Sequence, residues 1–106
     1  MLDNLSKYII KTQSHMRNLL QETIGKSSIE EFAKKIVWAR INCTELPPNH
    51  SPQEAIDFLK SLNFDYDNGW GAQHVYGTIM LNDSTWMERA EYDGSEWWER
   101  RTIPTW

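Results

Sequence analysis

The stretch that decides the fold is EYDGSEWWE, residues 91–99, because Asp93-Gly94 stands there between two runs of alternating character. Both residues tolerate the positive φ that a type I′ turn demands, so the pair is a strong short-range signal for a β-hairpin. Working outward from a two-residue turn, Tyr92 faces Ser95, Ala90 faces Trp97, Glu88 faces Glu99 and Trp86 faces Arg101. Side chains on a strand alternate, so this register assigns every residue of the hairpin to one of two faces. Strands are expected over 86–92 and 95–101. Residues 75–81 (VYGTIML) carry the same period of two and complete a three-stranded antiparallel β-meander through a turn at 82–85.

Pairing Leu81 with Trp86 across a four-residue loop puts Val75, Gly77, Ile79, Leu81, Trp86, Ala90, Tyr92 and Trp97 on one face, which is the expected core face. A three-residue loop would swap the first strand. The other face then carries Tyr76, Thr78, Met80, Met87, Arg89, Glu91, Glu96, Trp98 and Arg100, with no obvious segment to cover it.

Upstream the period becomes helical. Leu5, Ile9, Met16 and Leu20 fall near one stripe, so a helix is expected over 3–24, stopped by Gly25. A second helix is expected over 28–41: Ser28 and Glu31 form a capping-box pattern, and Ile29, Phe32, Ala33, Ile36, Val37 and Arg40 follow at helical spacing. The polar segment 42–50, with Pro47 and Pro48, reads as a loop. A third helix is expected over 51–63, where Ser51 caps, Pro52 takes the first helical position and Glu54 reaches back. Residues 64–73 read as an acidic, aromatic loop. The fold class that follows is α+β, one domain over 1–106, with three N-terminal helices packed on one face of a C-terminal three-stranded meander.

Composition narrows the function. The 106 residues are 40% apolar and 25% charged, as in a globular domain. The apolar runs fall far short of the ~20 residues that cross a bilayer, and no leader-like segment stands at the N-terminus. With Cys43 as the only cysteine, no internal disulfide forms, and a cytoplasmic setting is expected. Net charge is −4, unevenly placed: residues 63–106 carry three arginines against eight carboxylates. That half repels phosphate and attracts basic surfaces, so direct nucleic-acid binding is disfavoured and a protein with a basic surface is the expected partner. Six tryptophans are a further departure, since Trp is enriched at interface hot spots.

No glycine-rich phosphate loop, zinc spacing or HExxH occurs, so no cofactor and no metal are expected. Asp65, Asp67 and Asn68 before Gly69 resemble the start of a calcium loop but lack its later ligands. Cys43 with His50 or His74 has no orienting third member. Glu88 opposite Glu99 is the one pair that suggests catalysis, because two facing carboxylates resist joint ionisation; the bland alternative ties them to Arg101 or Arg40. Arg89, Arg100 and Arg101 near Trp97 and Trp98 suggest single-stranded nucleic acid, against the eight carboxylates of that segment.

The run Gly77-Thr78-Ile79, then Asp83, Thr85-Trp86, Arg89 and residues 91–99, resembles the C-terminal segment of small uncharacterised proteins encoded by bacteriophages and prophages. The resemblance covers about the last third of the chain. It implies a setting inside a bacterial host, where small phage proteins bind and block host proteins, defence nucleases among them, often through acidic surfaces. The expected function is therefore a non-enzymatic protein-binding module of the anti-defence inhibitor type. Asp65, Asp67, Trp70, Tyr76, Glu91, Glu96 and Trp98 are its expected contacts. The alternatives are a small hydrolase built on Glu88 and Glu99, or a single-stranded nucleic-acid binder.

Overall fold

The computed structural model describes residues 16–69 and 72–103. In chain order the elements are β1 (Met16–Asn18), α1 (Leu19–Ile24), α2 (Ile29–Ala33), β2 (Ile36–Ile41), β3 (Thr44–Leu46), α3 (Pro52–Lys60), β4 (Asp65–Asp67), β5 (Gly77–Leu81), β6 (Thr85–Tyr92) and β7 (Ser95–Thr102). They form a five-stranded antiparallel sheet of order β3-β2-β5-β6-β7 and a two-stranded ribbon of β1 with β4. Three helices on a three-stranded meander is therefore not the architecture. The meander exists as β5-β6-β7, but it is extended by β2 and β3, and the helices are short.

The C-terminal hairpin has the expected register, from Tyr92 opposite Ser95 to Trp86 opposite Arg101. Its turn holds Asp93 at φ 53° and Gly94 at φ 86°, as a type I′ turn requires. The third helix also stands where its signals lie: Ser51 Oγ accepts from Glu54 N–H, and the Glu54 carboxylate accepts from Ser51 N–H. The latter bond holds the Glu54 carboxyl below its ordinary range.

The expected helix over 28–41 breaks after Ala33. Ser28 caps it as expected, but residues 36–41 are the central strand β2. Ile36, Val37, Trp38 and Ile41 prefer a pleated, half-buried surface. A bulge between Ile36 and Trp38 interrupts their alternation, which let the i, i+3, i+4 spacing pass for a helix. Of the expected helix over 3–24, residues 3–15 lie outside the described residues. Met16–Asn18 is a strand, and only Leu19–Ile24 is helical, capped by Asn18 and closed at Gly25 with φ 60°. The segments read as loops also hold strands: β3 follows β2 through a tight turn at Asn42 (φ 53°) and Cys43, and β4 lies at 65–67.

The first turn of the meander changes the faces. Met80, not Leu81, lies opposite Trp86, so three residues, Asn82 to Ser84, make the turn, with Ser84 at φ 67°. Asp83 braces it by accepting from Thr85 N–H at 3.1 Å, and the Thr85 bonds hold its carboxyl below the usual range. This one-residue shift puts Ile79 and Leu81 beside Met87 and Arg89 rather than Trp86. The core face of β6 and β7 is thus the one expected to lie open. Ala39, Ile41, Ile79, Leu81 and Met87 are buried there with Leu19, Phe32, Phe58 and Leu59 from the helices, Leu62 just after α3 and Tyr66 from β4. Each large side chain so buried contributes about 1.5–3 kcal/mol. Trp97 and Tyr92, expected inside, are 40% and 76% exposed.

Candidate functional site

The buried face holds a polar knot that the sequence placed in solvent. Glu96 has a fully buried side chain and pairs with Arg89, 1% exposed, at 2.9 Å. Burying two charges is costly unless their remaining hydrogen-bonding capacity is used. Glu96 uses its own: beyond Arg89, it accepts from His74 N–H at 2.7 Å and Val75 N–H at 2.9 Å. Arg89 also donates to Tyr66 Oη at 2.8 Å and lies 5.0 Å from the Trp98 ring centre and 5.5 Å from that of Tyr66, a cation held between two aromatic rings. Tyr66 donates to Glu22. Its phenol is pushed up to about 12 by burial and by that hydrogen bond. Trp98 Nε1 donates to Thr23 Oγ1 at 2.9 Å. Asn68 closes the outer edge of β7 by donating to Glu96 C=O and accepting from Glu96 N–H, as a neighbouring strand would. Every bond here joins elements of the fold to one another, which makes the knot a structural clamp.

The expected contact set is consequently not one surface. Glu96 is buried and Trp98 half-buried against the helices. Asp65 and Asp67 lie on the ribbon, Asp65 accepting from Asn18 Nδ2, while Asp67 Oδ1 is buried without a hydrogen bond. Glu91 is exposed and accepts from Gly94 N–H at the hairpin turn. Trp70 lies outside the described residues. Tyr76 alone faces the opposite side of the sheet, 58% exposed.

That opposite side is the candidate site. Directly paired residues share a face, and the strand registers place Trp38, Met80, Trp86 and Arg101 in one line across β2, β5, β6 and β7. A second line, Glu45, Arg40, Thr78, Glu88 and Glu99, runs beside it from β3 to β7. Neighbouring strands are about 4.8 Å apart, so the Trp38 and Trp86 backbones stand about 10 Å from each other with Met80 between them. Trp97 and Tyr92 extend the aromatic surface along the hairpin. No described residue packs over this face; the buried cluster lies entirely on the other.

Carboxylates fix the rings. Trp38 Nε1 donates to Glu45 at 3.2 Å and Trp86 Nε1 to Glu88 at 2.6 Å. An indole whose N–H is already bonded presents its apolar body without leaving a donor to be desolvated. Glu88 and Glu99 do face each other, but Arg101 stands between them at 3.5 Å and 3.4 Å. Like charges opposite one another need such a cation, so the pair is an ion-pair clamp beside Trp86.

Arg40 stands apart from these clamps. It is exposed and makes no ion pair with a described residue, and Glu45, its cross-strand neighbour, is taken up by the Trp38 indole. Trp38, Arg40, Asn42, Tyr76, Gly77 and Thr78 line a hollow of about 300 Å³. At Gly77 the strands approach so closely that a Cβ would come within 2.6 Å of the Arg40 carbonyl oxygen.

The remaining sequence candidates do not assemble. Arg89 is buried, Arg100 pairs with Asp83 and Arg101 with its two glutamates, so the three arginines make no basic patch. Cys43 is exposed in the β2–β3 turn, and His50 Nδ1 contacts Pro47 C=O. Among the described residues no His, Cys, Asp and Glu cluster could hold a metal ion, and no helix is long and apolar enough to cross a membrane. Sequence reasoning missed Trp38 and Arg40 by reading them as helical. The alternation Trp38-Ala39-Arg40-Ile41, out-in-out-in, was the available signal. Comparison with known protein families, curated proteins and solved structures gives no match.

Proposed function

We propose that the protein is a non-enzymatic protein-binding module whose docking surface is the open face of its five-stranded sheet. The observation that carries this reading is the line Trp38–Met80–Trp86, laid across three strands with both indole N–H groups already bonded and no described residue above it. Trp, Tyr, Met and Arg are the residue types enriched in protein interfaces, and rings held in place lose little entropy on binding. Nucleic acid fits less well. Glu45, Glu88 and Glu99 stand among the rings, and of the two arginines on this face Arg101 is neutralised, whereas a nucleic-acid site needs a basic patch. The likeness of the terminal segment to phage and prophage proteins makes host proteins the first partners to screen, with inhibition of a defence protein as the activity to assay.

The test compares baits. Proteins retained from bacterial lysate by the wild-type chain should be lost by Trp38→Ala/Trp86→Ala and kept by Glu91→Gln, both baits being folded by circular dichroism. A retained set that the double variant leaves unchanged contradicts the proposal.

A further inference from the structure

Resting on that reading, we infer that the hollow at Arg40 receives an acidic side chain of the protein partner, while a bulky apolar residue beside that carboxylate lies on the Trp38–Met80–Trp86 line. Of the described residues that line the hollow, Arg40, Thr78, Tyr76 and Asn42 carry side-chain donors and none carries a carboxylate, and Asn42 Oδ1 already accepts from Tyr76 N–H at 2.9 Å. The hollow's cation is the member of the face's two arginines that no carboxylate of the described residues engages. Arg101 sits between Glu88 and Glu99, and Glu45 is turned to the Trp38 indole. A guanidinium presented in this way matches a carboxylate with two parallel hydrogen bonds. In registry, Arg40 lies opposite Thr78 and Trp38 opposite Met80, so a carboxylate and an apolar group two strand positions apart reach both at once.

The chain's net charge of −4 led to the expectation of a basic partner. On this face, however, two of the three carboxylates are already held by Arg101, and the third, Glu45, accepts from the Trp38 indole and makes no ion pair with Arg40, its cross-strand neighbour.

Three blocked hexapeptides, identical except for a central Glu-Glu, Gln-Gln or Lys-Lys between leucines, would be titrated into 15N-labelled protein. The Trp38 and Trp86 indole and the Arg40 Nε–H signals would be followed. The Glu peptide should bind about three- to five-fold more tightly than the Gln peptide, the scale of an exposed ion pair. Arg40→Gln should erase that preference and Arg40→Lys restore part of it; the site is exposed, so the fold is kept. A preference for Lys or Gln, or one that survives Arg40→Gln, overturns the inference. If the peptides shift Trp86 without regard to charge, the Arg40 assignment falls and the docking surface stands. If no ring signal moves, both fall. An oligothymidylate that moves the same signals at lower concentration than the Glu peptide overturns the inference in favour of phosphate.

Discussion

The two faces of the five-stranded sheet carry the same kinds of side chain, tryptophan, arginine and glutamate, and use them in opposite ways. On the inner face Arg89 and Glu96 are buried, and Trp98 seals them against the helices. On the outer face Arg101 holds Glu88 and Glu99 in half-exposed pairs while Trp38, Trp86 and Trp97 remain accessible. The difference lies in what the second partners are. Inner charges are bonded to the backbone N–H groups of His74 and Val75 and to Tyr66, with Arg89 Nε and Nη1 buried without a hydrogen bond among the described residues, so they tie distant segments together. Outer charges are completed by one another and by indoles, so they shape a surface without closing it.

The largest break in this comparison should come from Glu96→Ala. It strands the Arg89 charge in the interior, and the loss should be about 3–5 kcal/mol in urea unfolding. Arg89→Met/Glu96→Leu should recover part of that and no more, because the His74 and Val75 N–H groups keep no acceptor. Glu99→Ala, the outer counterpart, should cost about 1 kcal/mol or less. Next come the adjacent tryptophans. Trp98→Ala should lose about 2–3 kcal/mol through packing and the bond to Thr23, and Trp97→Ala about 1 kcal/mol or less. Equal losses would erase the distinction between the faces. Ser51→Ala, distant from both, should cost about 1 kcal/mol by removing the α3 cap.

A smaller effect sharpens the inner face by pH. The folded chain holds the Tyr66 proton to about pH 12, against an ordinary 10.0. A raised folded value means that this contribution to stability is complete below pH 10 and is lost as pH climbs from there to about 12. Tyr66→Phe should flatten the fall in urea midpoint over that window.

How much of this was legible follows from where the information lies. Asp93-Gly94 fixed the hairpin register from two residues, and Ser51-Pro52 with Glu54 fixed the start of α3, because a turn and a cap are local chemistry. The shift at Asn82–Ser84 turns on whether three or four residues make a loop, which the alternation of the flanking strands does not state. That single residue inverted the faces. Hydrophobicity then argued for the wrong side, since Trp97 outranks Glu96 as a core residue until Arg89, Asn68 and the His74–Val75 backbone supply Glu96 with partners. Of the candidate site, Tyr76, Thr78 and Met80 were read onto the open face and lie there. Trp38 and Arg40 were hidden by a bulge that disguised a strand as a helix.

Hydroxyl-radical footprinting read by mass spectrometry tests the division of the sheet most directly. Trp97 should oxidise faster than Trp98, and Tyr76 and Tyr92, 58% and 76% exposed, faster than Tyr66 at 6%. Faster oxidation of Trp98 and Tyr66 than of Trp97 and Tyr92 would place the open surface on the other side and contradict the account.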